Sequence, residues 1–334
     1  MKCGRKGFKK TSTHKIFESF SRPPPSILAA RSGVSYLMKW IALSLLILVS
    51  VMTMKPLRQD NRILRGSFST EFESGGWFKI LNWNINKGLR GGAIENAIRR
   101  EEPDVILLQE ADVNARRTKQ RNVAEELARS LSFNYVFGVE FEELAQGSES
   151  SPAFHGQAIL SRFPIRSSRI LPFTHQSNYW RPRAYLPRWP VFQPRLGGRM
   201  ALIATVAVGK GTVVFYDLHL ESQGSEQLRL QQLDEILADA AQYPPDTCLV
   251  LAGDFNSDLR VSRLKQKVIH AGFRSVIDGF PSTKAGGAAK DGVFVRGPVQ
   301  FDRGHVHPDT GASDHFAITS YLSVSCLEQQ GKQQ

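Results

Sequence analysis

Five apolar runs in this chain read as β-strands, and each ends in polar side chains suited to metal or phosphate chemistry. The runs cover residues 78–84, 105–110, 213–219, 248–256 and 313–315. Buried strands that stop at a common edge can deliver side chains from distant parts of a sequence into one cleft. The recurrence of this pattern makes the chain a candidate enzyme whose site is assembled from strand ends.

The length of 334 residues suits one large α/β domain with an N-terminal appendage. The formal net charge of +12 is concentrated in that appendage, because residues 1–65 carry 13 Lys and Arg against two acidic residues. Residues 66–334 carry 30 Lys and Arg against 29 Asp and Glu. The global charge therefore gives no argument for nucleic-acid binding, and any attraction of a phosphate must be local.

The three cysteines, Cys3, Cys248 and Cys326, are widely spaced and odd in number. They indicate neither a disulfide framework nor a zinc site. Cys248 opens a strand-like run, where we expect it to be a small core residue.

Residues 34–54 form an apolar segment of about 20 residues, the length that spans a bilayer. Residues 1–39 carry nine Lys and Arg, whereas four follow between residues 55 and 65. The heavier positive flank is expected to stay in the cytoplasm, which places the rest of the chain on the outer (periplasmic or extracellular) side. The alternatives are a signal peptide beginning at Met38, with Ile41–Val51 as its apolar region, or a buried core helix.

These observations divide the chain into five parts. Residues 1–33 are expected to be a basic, disordered cytoplasmic tail, 34–54 a transmembrane anchor or uncleaved signal, and 55–76 a linker. Residues 77–324 are expected to form the catalytic domain, and 325–334 a disordered tail. We expect a monomer that contacts the membrane through its N-terminal helix.

Helix and strand patterns alternate through the catalytic region. Helices are expected over residues 93–100, 123–132, 225–241 and 261–271, and the apolar runs between them read as strands. Residues 199–220 read as a hairpin. The acidic stretch Glu140–Glu149 reads as a loop, and His305 and His307 are expected in a solvent-exposed loop. This alternation predicts a mixed-sheet α/β architecture.

The acidic and amide residues at the strand ends suit metal or phosphate binding. Glu110 follows a buried strand, where a carboxylate is costly unless it binds a cation or pairs with a base. Asp254 can deprotonate or orient a water molecule and Asn256 can donate to a phosphoryl oxygen, although both also suit an Asx-turn. Asn84 and Asn86 share one face of their strand, so either could bind metal or phosphate.

Two histidines at strand ends are candidates for proton transfer or phosphate binding. His315 follows Asp314, and a histidine held by a carboxylate can donate or accept a proton near neutral pH. His219 could donate to a phosphoryl oxygen, with Asp217 expected on the opposite face of its strand. Either histidine could instead be a structural residue.

Residues 172–199 concentrate aromatic side chains and positive charge and contain no Asp or Glu. The candidate substrate-binding residues in this segment are Trp180, Arg181, Arg183, Arg188 and Trp189. They could provide phosphate contacts and base stacking in a nuclease. They could equally form an aromatic wedge at a membrane surface.

Seven motifs follow one another in order along the chain. They are Trp83-Asn84-Ile85-Asn86, Leu108-Gln109-Glu110, Gly156-Gln157-Ala158-Ile159-Leu160-Ser161, Leu218-His219-Leu220, Gly253-Asp254-Phe255-Asn256, Asp291-Gly292-Val293-Phe294-Val295 and Ser313-Asp314-His315. In this order and spacing they closely resemble the endonuclease/exonuclease/phosphatase superfamily, which has the DNase I-like fold. The resemblance implies a four-layer α/β/β/α sandwich of two mixed β-sheets flanked by helices.

The resemblance also implies hydrolysis of a phosphoester with Mg²⁺ or Mn²⁺. Glu110 would be the main metal ligand, with Asn84 beside it. Asp314 would hold metal or orient the histidine that follows it. Asn86 would contact substrate, and it stands where abasic-site nucleases resemble one another in having Asp, which argues against that specificity.

The remaining motif residues would act on the phosphoryl group. By the resemblance, Asp254 would activate the attacking water. Asn256, His219 and His315 would stabilise the charge of the transition state, and Asp291 would pair with His315. These roles describe metal-assisted attack of water on a phosphoester.

Three functional hypotheses follow. The first is a membrane-anchored, nuclease-like phosphodiesterase whose partner is a nucleic acid. The second is a phosphodiesterase acting on a phospholipid headgroup, or a phosphomonoesterase, of the same fold. The third is a catalytically dead interaction module, which should have lost at least one of the costly polar strand-end residues, and none is missing.

Overall fold

The computed structural model of the protein describes residues 36, 38–45, 62–69, 76–177, 179, 183, 185–277, 279–308 and 311–325. The chain divides into two compact units, residues 1–53 and residues 54–334. In the first unit Tyr36 and residues 38–45 are helical, and the rest of the predicted tail and anchor lies outside the described residues. Within the described ranges, no helix is both long enough and apolar enough to cross a membrane.

The second unit is built from two β-sheets and four α-helices in its described residues. The strands are β1 (Ile63–Gly66), β2 (Trp77–Lys87), β3 (Val105–Val113), β4 (Asn134–Glu143), β5 (Phe154–Ser161), β6 (Ile165–Pro172), β7 (Arg195–Gly197), β8 (Met200–Val208), β9 (Gly211–His219), β10 (Cys248–Asp254), β11 (Arg274–Ser275), β12 (Asp291–Arg296), β13 (Val299–Phe301), β14 (His305–His307) and β15 (Ala317–Val324). The helices are α1 (Gly91–Glu101), α2 (Val123–Leu131), α3 (Glu226–Ala240) and α4 (Arg263–His270). All four helices lie where the sequence pattern predicts them.

The two sheets are both mixed. The first sheet has the strand order β1-β4-β5-β3-β2-β15-β13, with β14 paired to β15 and β7 paired to β4. The second has the order β11-β12-β10-β9-β8-β6. Strands β2 and β3 run parallel, as do β9 and β10, and the other described pairs are antiparallel. The predicted mixed α/β class is confirmed.

Three hydrophobic clusters show how the layers pack. The inter-sheet cluster joins Ile80 of the first sheet to Phe215 and Val250 of the second. Side chains alternate along a strand, so Leu81 belongs instead to the cluster that packs α1 and α2 on the outer face of the first sheet. The third cluster packs α3 and α4 on the outer face of the second sheet. The α/β/β/α sandwich implied by the sequence resemblance is confirmed.

Strand β4 corrects the predicted acidic loop. Glu140 and Glu143 lie in this strand and are buried. Burial of a carboxylate is costly unless the charge is paired. Glu140 contacts Arg199 at 2.7 Å and Glu143 contacts Arg195 at 2.8 Å. The arginines come from the far end of the 172–199 segment, so the sequence around the glutamates gives no sign of them.

Three smaller predictions are also wrong. Part of the predicted linker, Ile63–Gly66, forms β1 and pairs with β4. His305–His307 form β14 against β15 instead of a loop, although His305 is exposed. Such short edge strands are held by backbone hydrogen bonds, which leave little pattern in the side chains. Cys248 is buried as expected, but it is disulfide-bonded.

Candidate active site

The C-terminal ends of four strands meet at one edge of the sandwich. Parallel strands β2 and β3 bring Asn84 beside Gln109 in the first sheet. In the second sheet, Asp254 at the end of β10 lies beside His219 on β9 and Asp291 on β12. The strand-end residues predicted from sequence are therefore close in space.

Asn84 joins the two sheets at the centre of this edge. Its Nδ2 donates to Glu110 Oε1 and to Asp254 Oδ2, each at 3.2 Å. Its backbone carbonyl accepts a hydrogen bond from Ser313 Oγ at 2.7 Å. One buried amide thus holds together two carboxylates that would otherwise repel each other.

A β-bulge turns Glu110 toward this centre. The pairing of β3 with β5 shifts register around Glu110, which has a φ of 55°. On β2 the register shifts between Asn84 and Lys87, and Asn86 and Lys87 have φ values of 45° and 68°. Bulges re-aim side chains, and positive φ at residues other than glycine is costly and is found preferentially at functional sites.

The bulge also separates Gln109 from Glu110. Gln109 faces the second sheet, where its Nε2 donates to Asp217 Oδ1 at 2.6 Å. The expectation that Asp217 and His219 face opposite sides is wrong, because residues two apart on a strand share a face. Burial raises the pKa of Asp217 well above its usual value. Burial therefore favours the neutral form of this carboxyl, which serves the contact between the sheets.

A tight turn after β10 fixes Asp254. Its Oδ1 accepts a hydrogen bond from the backbone N–H of Asn256 at 2.7 Å, while Asn256 Nδ2 donates to the Leu220 carbonyl at 2.9 Å. Gly253 has a φ of 146°, and a Cβ there would lie 1.9 Å from the carbonyl oxygen of Leu218. The Asx-turn that the sequence left open is present, and it immobilises one oxygen of Asp254.

Two buried histidines flank the other oxygen, Asp254 Oδ2. The Nε2 atoms of His219 and His315 lie 3.8 Å and 3.7 Å from it. Nδ1 of His315 hydrogen-bonds Asp291 Oδ2 at 2.8 Å, and the same oxygen accepts from Thr283 Oγ1 at 2.7 Å. The Asp291 carboxylate therefore orients the ring of His315 with its Nε2 toward Asp254.

The surroundings of the two histidines favour different charges. Burial lowers the pKa of His219 well below its usual value, and Arg199 lowers it further. Burial also acts to lower the pKa of His315, but Asp291 and Asp254 raise it to about 9. Burial raises the pKa of Asp291 to about 6, although His315 acts to lower it. His219 is therefore neutral at neutral pH, whereas the carboxylates favour a protonated His315.

Lys284 contacts both residues of the Asp314–His315 pair. Its Nζ lies 2.6 Å from Asp314 Oδ2 and 2.7 Å from His315 Nε2. When Nε2 of His315 is protonated, it cannot accept a hydrogen bond from the ammonium group of Lys284. The two facing nitrogens must therefore share one proton. The carboxylates of Asp291 and Asp254, in contrast, favour a protonated His315 ring. Asp314, also predicted as a metal ligand, is 45% exposed and lies at the rim of the site.

Lys87 neutralises Glu110. Its Nζ lies 2.7 Å from Glu110 Oε2 and 2.9 Å from Asn86 Oδ1. Burial acts to raise the pKa of Glu110, but positive charge at His219 and Lys87 lowers it well below its usual value. Because the pKa of His219 is itself lowered, Lys87 is the cation that persists at neutral pH. Glu110 is therefore an ionised carboxylate.

The donor atoms of the site suit a hard divalent cation. Carboxylate and amide oxygens are preferred ligands of Mg²⁺ and Mn²⁺. Glu110 offers a carboxylate, whereas Asn84 directs its Nδ2 toward Glu110 and its Oδ1 accepts a hydrogen bond from the Asn86 N–H at 3.0 Å. Asp254, Asp291 and His315 form a second group, with one ligand atom from each within 4.8 Å of the others. Among the described residues, Oδ1 of Asp291 is buried and has no hydrogen-bond partner. The residues present therefore fit a divalent cation.

A pocket of about 260 Å³ adjoins the rim of the site. Asn86 and Asp314 line it together with Arg90 and Ser313. Asn86 is thus placed where a predicted substrate contact could form.

The predicted arginine contacts are only partly described. Trp180 and Arg181 lie outside the described residues. Arg183 is exposed. Arg188 is engaged, because its Nη2 donates to both carboxylate oxygens of Glu142 at 2.7 and 2.9 Å. The Nη2 donors of Arg188 are therefore engaged by Glu142.

The same segment carries an exposed apolar surface, the aromatic tip, formed by Tyr185, Trp189, Val191 and Phe192. The rings of Trp189 and Phe192 stack with their centroids 5.8 Å apart. The segment starts after Pro172, which the sheet register places beside Met200, at the end of β8 nearest His219. The aromatic tip is therefore attached to the edge that carries the candidate active site.

Sequence reasoning missed three cations or donors of the site. Lys87 and Lys284 each contact a predicted residue, and Thr283 contacts Asp291. Lys284 lies in a loop of small residues where no periodic pattern exists, so no sequence signal marks it. Lys87 lies three residues after Asn84 in the same strand, and this proximity is a sequence signal that could have identified it as a residue of the site.

Most of the predicted site residues converge, and their chemical roles stay predictions. Those at the shared edge are Asn84, Glu110, His219, Asp254, Asn256, Asp291 and His315. Asn86 and Asp314 lie at the rim.

Comparison with known proteins agrees with this geometry. The model of the Endonuclease/Exonuclease/phosphatase family matches residues 81–315, which is more than half of the chain. The matched range contains the whole cluster of converging side chains. None of the curated proteins compared with the chain matches it.

Several solved structures share the fold. An endonuclease/exonuclease/phosphatase from Beutenbergia cavernae DSM 12333 is 19% identical, with a TM-score of 0.55 over 74% of this chain and 72% of that chain. A mannosyl-6-phosphatase from Bacteroides thetaiotaomicron VPI-5482 is 15% identical, with a TM-score of 0.55 over 73% and 99%. TDP2 from C. elegans is 20% identical, with a TM-score of 0.50 over 76% and 77%.

At these identities the structural likeness supports the fold, whereas the family match covers the sequence of the site itself. The members of this family are phosphoester hydrolases that typically depend on a divalent metal. The chain belongs to the endonuclease/exonuclease/phosphatase family.

Proposed function

We propose that the protein is a divalent-metal-dependent phosphoesterase that hydrolyses a phosphodiester. The observation that carries the proposal is the convergence of five side chains, each within 3.8 Å of another: Asn84, Glu110, His219, Asp254 and His315. Oxygen ligands for a cation lie directly beside donors that can stabilise a phosphoryl group. This combination suits the negative charge that develops when water attacks phosphorus.

Glu110 and Asn84 would hold the cation, with Asp314 at the rim. When bound, the cation would polarise the phosphoryl group and stabilise its negative charge. Asp254 would orient the attacking water and accept its proton through Oδ2. The hydrogen bond from the Asn256 N–H to Oδ1 keeps that carboxylate in one orientation.

The remaining side chains would bind the phosphoryl oxygens. His315 would donate from Nε2, with Asp291 holding the ring and Lys284 beside it. His219 would act as a neutral hydrogen-bond donor. Asn256 Nδ2 uses one hydrogen for the Leu220 carbonyl, which leaves the other for substrate.

A lipid-headgroup phosphodiesterase is the second candidate function, and the aromatic tip favours it. Tyr185 is 70%, Trp189 59% and Val191 82% exposed. Val191 has no ring face on which a base could stack, but it can enter the interfacial region of a bilayer together with Trp189. A phosphomonoester substrate would use the same catalytic side chains.

We also propose a single-pass membrane protein with a cytoplasmic N-terminus and its catalytic unit on the outer side. The apolar segment 34–54 and the heavier positive charge before it support this orientation.

A substrate panel tests the function and selects among substrates. Full-length protein in detergent is incubated with Mg²⁺ and single-stranded DNA, duplex DNA, RNA, sphingomyelin vesicles, inositol phosphates or 4-nitrophenyl phosphate. At least one of these should be hydrolysed, and Asp254→Asn should lower the rate about 10³-fold. Asp234→Asn, which alters an exposed aspartate paired with Lys267, is the matched control. Equal rates for wild type and Asp254→Asn would refute the assigned role.

A further inference from the structure

A second pocket, which we call the basic pocket, is lined by residues of β1 and β4 from the first sheet and of β6 from the second. Its volume is about 440 Å³, within the range of roughly 300 to 1,000 Å³ that is typical of small-molecule sites. Strands β1 and β6 are edge strands of their sheets. Arg65 Nη2 on β1 donates to Ser168 Oγ on β6 at 3.0 Å. The proposed reaction uses no residue of this pocket.

The basic pocket lies at the end of the sandwich opposite the candidate active site. The end of β5 at Ser161, next to the pocket, pairs with the start of β3, whereas Glu110 lies near the end of β3. In the second sheet, Ile165 pairs with the end of β8, which lies beside the start of β9, whereas His219 ends β9. Because a strand rises about 3.3 Å per residue, the pocket lies on the order of 15 to 20 Å from Glu110. It is therefore a separate site.

Positive charge is concentrated in the basic pocket. Among the described residues, three arginines line it, Arg65, Arg162 and Arg166, and no aspartate or glutamate does. Arg162 contacts Asp104 at 3.4 Å. Arg65 and Arg166 form no ion pair within the part of the chain that the structure describes. Since residues 66–334 carry 30 Lys and Arg against 29 Asp and Glu, this excess is local to the pocket.

The backbone of β6 sets the position of Arg166. The pairing of β6 with β8 shifts register between Ile165 and Ser167, so Arg166 lies at a β-bulge. Bulges re-aim side chains and are common beside functional sites. The bulge thus gives an exposed arginine a fixed backbone origin at the pocket.

Hydroxyl groups accompany the arginines. Ser67, Ser167 and Ser168 line the same pocket. Ser168 Oγ accepts the hydrogen bond from Arg65, which leaves the hydroxyl hydrogen available for a ligand. Guanidinium groups and hydroxyls are both hydrogen-bond donors, so the pocket suits an anion with several acceptor oxygens.

Charged residues on edge strands can also serve to prevent pairing between sheets of different molecules. That role requires charge along an exposed edge. It does not account for a cavity between two edge strands, nor for the hydrogen bond between Arg65 and Ser168 that joins them. The enclosed arrangement of donors points to a ligand.

We propose that the basic pocket binds a phosphate group, held by the guanidinium groups of Arg65 and Arg166 and by the hydroxyl of Ser168. A guanidinium group can bind two phosphate oxygens at once, which gives both affinity and orientation. The pocket has room for a phosphate with a small organic group attached. A soluble phosphate ester could supply it, and so could a phospholipid headgroup, because only residues 55–62 separate the proposed anchor from β1.

Isothermal titration calorimetry of the full-length protein in detergent and EDTA tests the site, with glycerol 3-phosphate as the probe. The double variant Arg65→Gln/Arg166→Gln should bind the probe about tenfold more weakly or worse, because two charged donors are lost. Arg65→Lys/Arg166→Lys keeps both charges without the paired donors and should recover part of this loss. Both arginines are exposed, so the variants should fold, which thermal unfolding checks.

Two controls separate this pocket from diffuse attraction and from the candidate active site. Lys210→Gln removes an exposed positive charge outside the pocket, in the β8–β9 turn at the same end of the second sheet. It should change the affinity by no more than about twofold. His315→Gln removes a proposed phosphoryl contact of the candidate active site and should not weaken binding of the probe.

A second probe, dihexanoyl phosphatidic acid, distinguishes the two sources of the phosphate. Tighter binding of this lipid than of glycerol 3-phosphate, lost in Arg65→Gln/Arg166→Gln, would identify a lipid headgroup as the ligand. Equal affinities for the two probes would identify a soluble phosphate ester. Either result supports a phosphate site.

Three outcomes would overturn the proposal. The first is no binding by wild type, or equal affinity in wild type and Arg65→Gln/Arg166→Gln. The second is a loss in Lys210→Gln as large as in the double variant. The third is weaker binding in His315→Gln alone, which would place the phosphate in the candidate active site. None of these measurements requires turnover, so a failure of the proposed function would leave this inference standing.

Discussion

Glu110 contacts both an amide and an ammonium group of the site through its two carboxylate oxygens. Asn84 donates to one of its oxygens, and Lys87 contacts the other at 2.7 Å. A divalent cation bound at Glu110 would meet the positive charge of Lys87 at close range. Lys87 therefore keeps the carboxylate ionised and also competes with the cation for it.

Replacing Lys87 tests this competition. Lys87→Met removes the ammonium group and keeps much of the side-chain volume, so Mg²⁺ should bind about tenfold more tightly. Isothermal titration calorimetry measures the affinity. Lys79→Met, which breaks an equivalent contact with Glu101 at 3.0 Å at the other end of β2, should leave it unchanged. Weaker Mg²⁺ binding by Lys87→Met would show that Lys87 supports the metal site instead.

The pKa of His315 links stability to pH. Histidine in an unfolded chain has a pKa of about 6.5, whereas Asp291 and Asp254 raise the pKa of His315 to about 9 despite its burial. The folded state thus binds the proton more tightly. The resulting stabilisation is fully present below pH about 6.5 and is lost as the pH rises toward about 9.

Thermal unfolding of wild type and His315→Gln in EDTA tests this linkage. The Tm advantage of wild type should be largest near pH 6 and should shrink by on the order of 5 °C by pH 9. An advantage that does not change with pH would mean that Lys284, 2.7 Å from Nε2, keeps the ring neutral throughout.

At the scale of elements, the backbone conformation at the end of β10 determines whether Asp254 can lie beside His219. Gly253 has a φ of 146°, and a Cβ there would lie 1.9 Å from the Leu218 carbonyl oxygen on β9. The two strands can bring Asp254 beside His219 only if residue 253 has no side chain. The conformational freedom of glycine is therefore required at residue 253.

Gly253→Ala should therefore destabilise the fold strongly. We expect a loss of about 3 kcal/mol or more in the free energy of unfolding, measured by urea denaturation, because the clash involves backbone on both strands. Gly209→Ala is the control, since its φ is 57° but no atom lies within 4 Å of the added Cβ. It should cost only about 1 kcal/mol. Equal losses in the two variants would exclude the β9–β10 contact as the cause.

The strand ends could be predicted because apolar runs and their terminal residues are local in sequence. Asn84, Glu110, His219, Asp254 and His315 were identified this way, and the family resemblance supplied their order. The strand-end residues lie together because the strands carrying them run to one edge. This is a property that spacing and pattern can reveal.

Contacts between distant segments could not be predicted. Lys284 meets His315 across 31 positions of sequence, and Glu140 meets Arg199 across 59. The acidic residues of β4 suggest an exposed loop, because nothing near them in sequence indicates the arginines that pair with them.

At the scale of the whole molecule, the site exists only when both sheets are in place. Asn84 and Glu110 come from the first sheet, and His219 and Asp254 from the second. The inter-sheet cluster therefore holds the site together as well as the fold. Activity should be lost together with the global fold, since no single sheet carries the complete set of side chains.

The proposed anchor makes a separate prediction for the full chain. If residues 34–54 span the bilayer, full-length protein should sediment with membranes and remain there after alkaline extraction, because a spanning helix is released only by detergent. Deletion of 34–54 should release the protein into the soluble fraction. Release of the full-length chain by alkali would contradict a spanning segment.

Metal-dependent hydrolysis by wild type and Glu110→Gln tests the central claim most directly. With bis(4-nitrophenyl) phosphate, the wild-type rate should be abolished by EDTA and restored by Mg²⁺ or Mn²⁺. Glu110→Gln should lower it about 10³-fold, whereas Glu149→Gln, at an exposed position, should not change it. Hydrolysis that persists in EDTA, or that is unchanged in Glu110→Gln, would contradict a metal-dependent phosphoesterase centred on Glu110.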